Sequence, residues 1–113
     1  MEVTSRTHQG VRVIDVTGEI DLSSVAEVQT HVDAAMAAGE YRLVIDLEHV
    51  PFVDSAVLHT LFRALHRVRG EGGDIAIVCV DPTIRRVLDV FGLASQIHVC
   101  PDLGRAVAAI AAR

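Results

Sequence analysis

The chain has 113 residues, 50% of them hydrophobic, and a formal net charge of −5. That length is one domain's worth, residues 1–113, and suffices for an aliphatic core without metal or disulfide staples. An acidic balance with three Phe, one Tyr and no Trp, and no basic run beyond Arg85-Arg86, gives nucleic-acid binding no support.

Residues Glu2–Thr7 and Val11–Thr17 read as two strands joined by a turn at Gln9-Gly10. Gly18-Glu19-Ile20-Asp21 then breaks the pattern. A helix is predicted from Ser24 to Ala38, with Ser24 and Glu27 as a capping box and Val25, Val28, Val32, Ala35 and Met36 at helical spacing. Gly39 is its stop.

Arg42–Leu47 is a near-continuous apolar strand, as the centre of a covered sheet requires. The next helix starts at Ser55 and runs to Arg69. Leu58, Leu61, Phe62, Leu65 and Val68 define its buried face, with His59, Arg63, His66 and Arg67 opposite. Gly70, Gly72 and Gly73 lead into a strand over Asp74–Val80. Asp81-Pro82 opens a third helix, Asp81 as cap and Pro82 at its first position, with Ile84, Val87, Leu88 and Phe91 inward and Gly92 closing it. A short strand over Gln96–Cys100 precedes a final helix capped by Asp102. Alternating strands and helices indicate an α/β fold with a partly parallel sheet.

Several chemistries have no residues to run them. The sequence contains no Lys, which removes Schiff-base and P-loop mechanisms. Histidines 8, 31, 49, 59, 66 and 98 make no HxxxH or HExxH motif, so they are read as solvated surface groups. No GxGxxG follows the first strand and no GxSxG surrounds any serine. Asp15, Glu19 and Asp21 cluster near one turn, where capping and surface charge are their expected roles. Neither a catalytic site, a metal nor a cofactor is expected. Cys79 and Cys100, both in predicted strands, are expected to be free, buried thiols. No apolar stretch approaches the ~20 residues of a membrane span, and MEVTSRTHQG has no signal-peptide pattern, so the expectation is a cytoplasmic protein.

Asp54-Ser55 is the informative dipeptide. Either residue can cap the helix that follows, since both types accept bonds from the first helical N–H groups. The same junction also presents a hydroxyl where outward-pointing N–H groups make the local potential positive and suit a phosphate.

Three segments together carry a family resemblance. Val16-Thr17-Gly18-Glu19-Ile20-Asp21 is similar to a "TGELD" turn, and Val44-Ile45-Asp46-Leu47 with Val50, Phe52, Val53, Asp54 and Ser55 to a strand followed by "V-x-F-x-D-S". Ile84-Arg85-Arg86-Val87-Leu88 with Gly92-Leu93 is similar to "V-R-R-V-L-…-G-L". In these the chain resembles the STAS domains of anti-sigma factor antagonists. The resemblance implies a small α/β fold, a mixed sheet of four to five strands covered by about four helices. It further implies a binding protein that sequesters an anti-sigma factor serine kinase and frees a sigma factor. The same resemblance implies that phosphorylation of Ser55 by that kinase ends the complex and that a serine phosphatase resets it. Gly18, Glu19, Asp21, Ser23, Asp54, Ala56, Val57 and His59 are the partner-binding residues it implies. The chain departs from the family after Ser55, with Ala56-Val57-Leu58-His59 where Ser or Thr, then Gly, Leu and a small residue are usual. That departure favours an alternative: a STAS interaction module without a phosphate switch, scaffolding a signalling complex or serving a lipid-transport system.

Overall fold

A computed structural model describes residues 2–19 and 22–111, with backbone only for residues 22–24. The elements, in order, are β1 (Glu2–His8), β2 (Val11–Thr17), α1 (Leu22–Ala37), β3 (Arg42–His49), α2 (Ser55–Gly70), β4 (Asp74–Val78), α3 (Pro82–Val90), a 3-10 turn (Leu93–Ser95), β5 (His98–Cys100) and α4 (Leu103–Ile110). The mixed five-stranded sheet has the order β1-β2-β3-β4-β5. β1 and β2 form an antiparallel hairpin, and β2 to β5 run parallel. Gln9 and Gly10 both have positive φ, as a two-residue hairpin turn demands.

Side-chain alternation along the strands divides the apolar residues between two faces. Ile14, Val16, Leu43, Ile45, Leu47, Ile75 and Ile77 join α1, α2 and α3 in the main core. Val11, Val13, Val44, Ala76 and Val78 face the other way and are covered by Ala106, Val107 and Ile110 of α4. The run Leu43–Leu47 is buried throughout, because both sides of β3 are roofed.

The expected α/β architecture is the observed one, with corrections at element ends. α1 begins at Leu22, so Ser24 lies inside the helix rather than at its cap. Helix ends are the least determined part of a local pattern. β4 stops at Val78, leaving Cys79 just beyond it and Val80 exposed. Phe62 is only half-buried at the margin of the core, and Phe91, expected inward on α3, lies just past that helix and is 57% exposed. Asp81 and Asp102 cap α3 and α4 as expected, their carboxylates accepting from the N–H groups of Thr83 and Arg105 at 2.8 Å each.

Both cysteines are free. The Cys79 N–H donates to the Cys100 carbonyl at 2.9 Å. Their side chains nonetheless belong to opposite faces of the sheet, Cys79 in the main core and Cys100 against α4. Cys100 is half-buried rather than buried. Burial pushes both thiols up from their ordinary range.

Candidate functional site: the loops at the carboxyl ends of β2 and β3

The chain leaves β3 through a tight turn in which the Val50 N–H donates to the Leu47 carbonyl at 3.1 Å. Val50 and Val53 sink into the core and fix the loop, while Pro51 and Phe52 stay in solvent. Asp54 adopts extended backbone and its carboxylate accepts from the Val57 N–H at 3.1 Å. Asp54 is thus the cap. This frees Ser55, the first residue of α2: it is exposed, and its hydroxyl has no hydrogen-bond partner among the described residues.

The electrostatics favour an anion at that hydroxyl. α2 carries no acidic residue in its first turn and has Arg67 and Arg69 in its last. Amide groups not used by Asp54 and the helix dipole converge on Ser55. Ala56 is half-buried beside it, and His59 is exposed one turn further along.

The turn after β2 is joined to the same place. The Gly18 N–H donates to the His49 carbonyl at 3.2 Å, and Gly18 has φ +83°, a left-handed conformation that favours glycine. Gly18 and Glu19 therefore stand at the carboxyl end of β2, next to the loop that leaves β3. Ligand and partner sites of open α/β sheets form at such ends. Asp21 lies outside the described residues, as does the side chain of Ser23.

Val57 requires a correction. Its side chain is 5% exposed and sits with Val28, Ile45, Leu47 and Leu61 in the core. A branched residue there fills the helix–sheet contact and is not presented to a docked partner. Thr60 is likewise 6% exposed, which shields its hydroxyl from modification. Phe52 and Val80, 48% and 55% exposed, are apolar groups at this end of the sheet that the sequence reading did not single out as contacts. Phe52 carried a signal, a lone aromatic between Pro51 and Val53 in a loop.

A buried carboxylate lies on the α4 side of the same strands. Asp46 is 8% exposed and in register with Asp15, which is paired with Arg6 at 3.2 Å. Burial raises the Asp46 pKa above the ordinary value, the Glu48 N–H donated at 2.9 Å opposes this, and Asp15 and Glu48 raise it further. An acid with a raised folded-state pKa binds its proton more tightly folded than unfolded. Its ionisation therefore costs stability as pH rises through the carboxylate range. Asp46→Asn should stabilise the fold at about pH 7, and the gain should shrink toward about pH 4. Urea unfolding at both pH values checks this; an equal gain at both would contradict it.

With this geometry in hand, comparison with known proteins is decisive at the level of family. The model of the STAS domain family matches residues 2–106. The chain belongs to the STAS domain family. Among curated STAS relatives it is similar to an anti-sigma F factor antagonist of Paenibacillus polymyxa, 27% identical over 94 residues, covering 82% of this chain and 80% of the relative. Among solved structures it is similar to an anti-sigma factor antagonist from Mycobacterium paratuberculosis, with TM-score 0.88, 29% identity, and 96% and 92% of the two chains covered. The fold is also that of the Bacillus cell fate determinant SpoIIAA in its phosphorylated form, at TM-score 0.75 and 18% identity, covering 96% of this STAS chain and 98% of that chain.

Proposed function

We propose that this STAS protein is an anti-sigma factor antagonist switched by phosphorylation of Ser55. Unmodified, it binds an anti-sigma factor serine kinase and so releases a sigma factor. The kinase phosphorylates Ser55, the complex dissociates, and a serine phosphatase restores the starting state. The protein is a substrate and binding module of the cytoplasm, not an enzyme. Gly18, Glu19, Asp21, Ser23, Asp54, Ala56 and His59 form the docking face, with Phe52 and Val80 as apolar additions.

The observation that carries the reading is the division of labour at the start of α2. Asp54 caps the helix, and Ser55 is left exposed with its hydroxyl unengaged. A phosphate adds about −1.5 to −2 charge. Placed at a helix start it is tolerated by the fold. Placed beside the Asp54 carboxylate it concentrates negative charge on the docking face, which repels an acidic or apolar partner surface. A local change thus breaks an interface without unfolding the domain. The relatives named as anti-sigma factor antagonists support the assignment, as does a structural neighbour known in a phosphorylated form. Val57, the sharpest departure from the family pattern, is absorbed by the core and leaves the docking face as it was.

Incubation with the cognate anti-sigma factor kinase and ATP should add a single phosphate, read by intact-protein mass spectrometry. Ser55→Ala should take up none, and Thr60→Val should behave as the parent. Phosphate mapping to Ser23, Ser24 or Thr60 would overturn the assignment.

A further inference from the structure

The two edges of the sheet are built differently. β5 is three residues long and is followed at once by Pro101, so it offers another strand little to pair with. β1 is seven residues long, holds no Pro, and pairs with β2 without a bulge from Glu2 opposite Thr17 to His8 opposite Val11. Its outer edge is unpaired in the sheet, and no helix overhangs its middle: Thr4 and Arg6 on one face, and Ser5 and Thr7 on the other, are all exposed. A straight, uncovered edge of this length is a template for a further strand, and natural proteins ordinarily blunt such edges.

The hairpin fixes which backbone groups point outward. Gln9 and Gly10 both have positive φ, so His8 and Val11 flank a two-residue type I′ turn and form a hydrogen-bonded pair. Bonded and non-bonded pairs alternate along an antiparallel ladder. His8, Arg6, Thr4 and Glu2 therefore direct their N–H and C=O groups at β2, and the Glu2 carbonyl accepts from the Thr17 hydroxyl at 3.5 Å. Val3, Ser5 and Thr7 direct theirs away from the sheet.

We propose that β1 pairs antiparallel with β1 of a second copy of this chain, about a two-fold axis at Ser5. Ser5 then faces Ser5 and Val3 faces Thr7, so outward groups meet outward groups along the whole strand. Each hydrogen-bonded pair exchanges two bonds, which gives about six across the interface. Charge selects this register. It sets Glu2 opposite His8 and diagonal to Arg6 of the second copy, within reach of both. A slip of two residues toward the turn would set Arg6 against Arg6, and the same slip the other way shortens the overlap to residues 2–6. The strand is thus complementary to itself, and such a contact closes at two copies. A strand-to-strand interface is small, so the dimer is a weak one that forms as concentration rises. It uses none of the residues assigned to the phosphorylation switch.

The test is analytical ultracentrifugation of the full-length, unphosphorylated protein from micromolar to millimolar concentration, with amide exchange of the ¹⁵N-labelled protein at both ends of that range. The parent should pass from monomer to dimer and stop there. Exchange at Ser5 and Thr7 should slow with concentration, whereas Thr4 and Arg6, already bonded to β2, should be unchanged. Ser5→Pro removes an outward N–H that the hairpin does not use, and Thr4 before it is already extended, so the fold should tolerate the change. Its melting temperature should stay close to the parent's while dimerisation weakens about tenfold or more, two bonds on the axis being lost. Glu2→Arg, which sets like charges against His8 and Arg6, should also weaken it. A parent that stays monomeric to millimolar concentration would overturn the proposal. So would a dimer in which Ser5 and Thr7 exchange as fast as in dilute solution, a result readable even if Ser5→Pro does not fold. Undiminished dimerisation of folded Ser5→Pro would contradict it equally.

Discussion

Leu61→Ala should lower the unfolding free energy by about 2–5 kcal/mol. Leu61 is 1% exposed at the centre of the main core, where α2 meets β3 and β4. Removing its branched end deletes burial and leaves a cavity that a helix pinned at both ends cannot close. Against a total stability of about 5–15 kcal/mol, the loss is large. His59, two residues earlier, is exposed. His59→Ala should therefore change stability by less than ~0.5 kcal/mol. Urea unfolding of the three proteins separates these values. Coincident midpoints for Leu61→Ala and the parent would mean that the helix presents a different face to the sheet.

Val57→Gly should act through stability, not through partner contact. The side chain is 5% exposed, and the residue occupies the first turn of α2, where its N–H holds the Asp54 cap. Losing the buried isopropyl group and adding a helical glycine should together cost about 2–4 kcal/mol. Val57→Ala keeps helix propensity and loses only the methyl groups, so its cost should be clearly smaller. Both variants, held well below their melting temperatures, should be phosphorylated on Ser55 as the parent is. A Val57→Gly protein with unchanged stability and altered kinase affinity would place this side chain at the interface instead.

Val57 also shows what was legible in the sequence and what was not. Leu58, Leu61, Leu65 and Val68 announce their face by spacing alone, and they are buried. Val57 shares that face with Leu61, Ala64 and Val68 through steps of four, three and four residues, so its burial was written in the same periodicity. The family pattern has glycine at this position, which carries no information about burial. Asp81-Pro82 and Asp102 were legible because a capping carboxylate needs only local geometry. The start of α1 was not, because neighbouring cap-type residues compete on nearly equal terms.

Long-range features left weaker traces. The Gly18–His49 bond that brings the two loops together, and the pairing that sets Cys79 beside Cys100 on opposite faces, depend on strand order. Hydrophobic pattern alone does not specify that order. Asp46 stood out only as a charge inside an apolar strand, and its proximity to Asp15 follows from parallel register between β2 and β3.

Phosphate on Ser55 should dissolve a docking interface while the fold persists. Calorimetric titration of the cognate anti-sigma factor kinase with the unmodified protein and with the Ser55-phosphorylated protein tests it most directly. The unmodified form should bind tightly, and the phosphorylated form at least about tenfold more weakly, ~1.4 kcal/mol. Equal or tighter binding of the phosphorylated protein, with both forms folded, would contradict it.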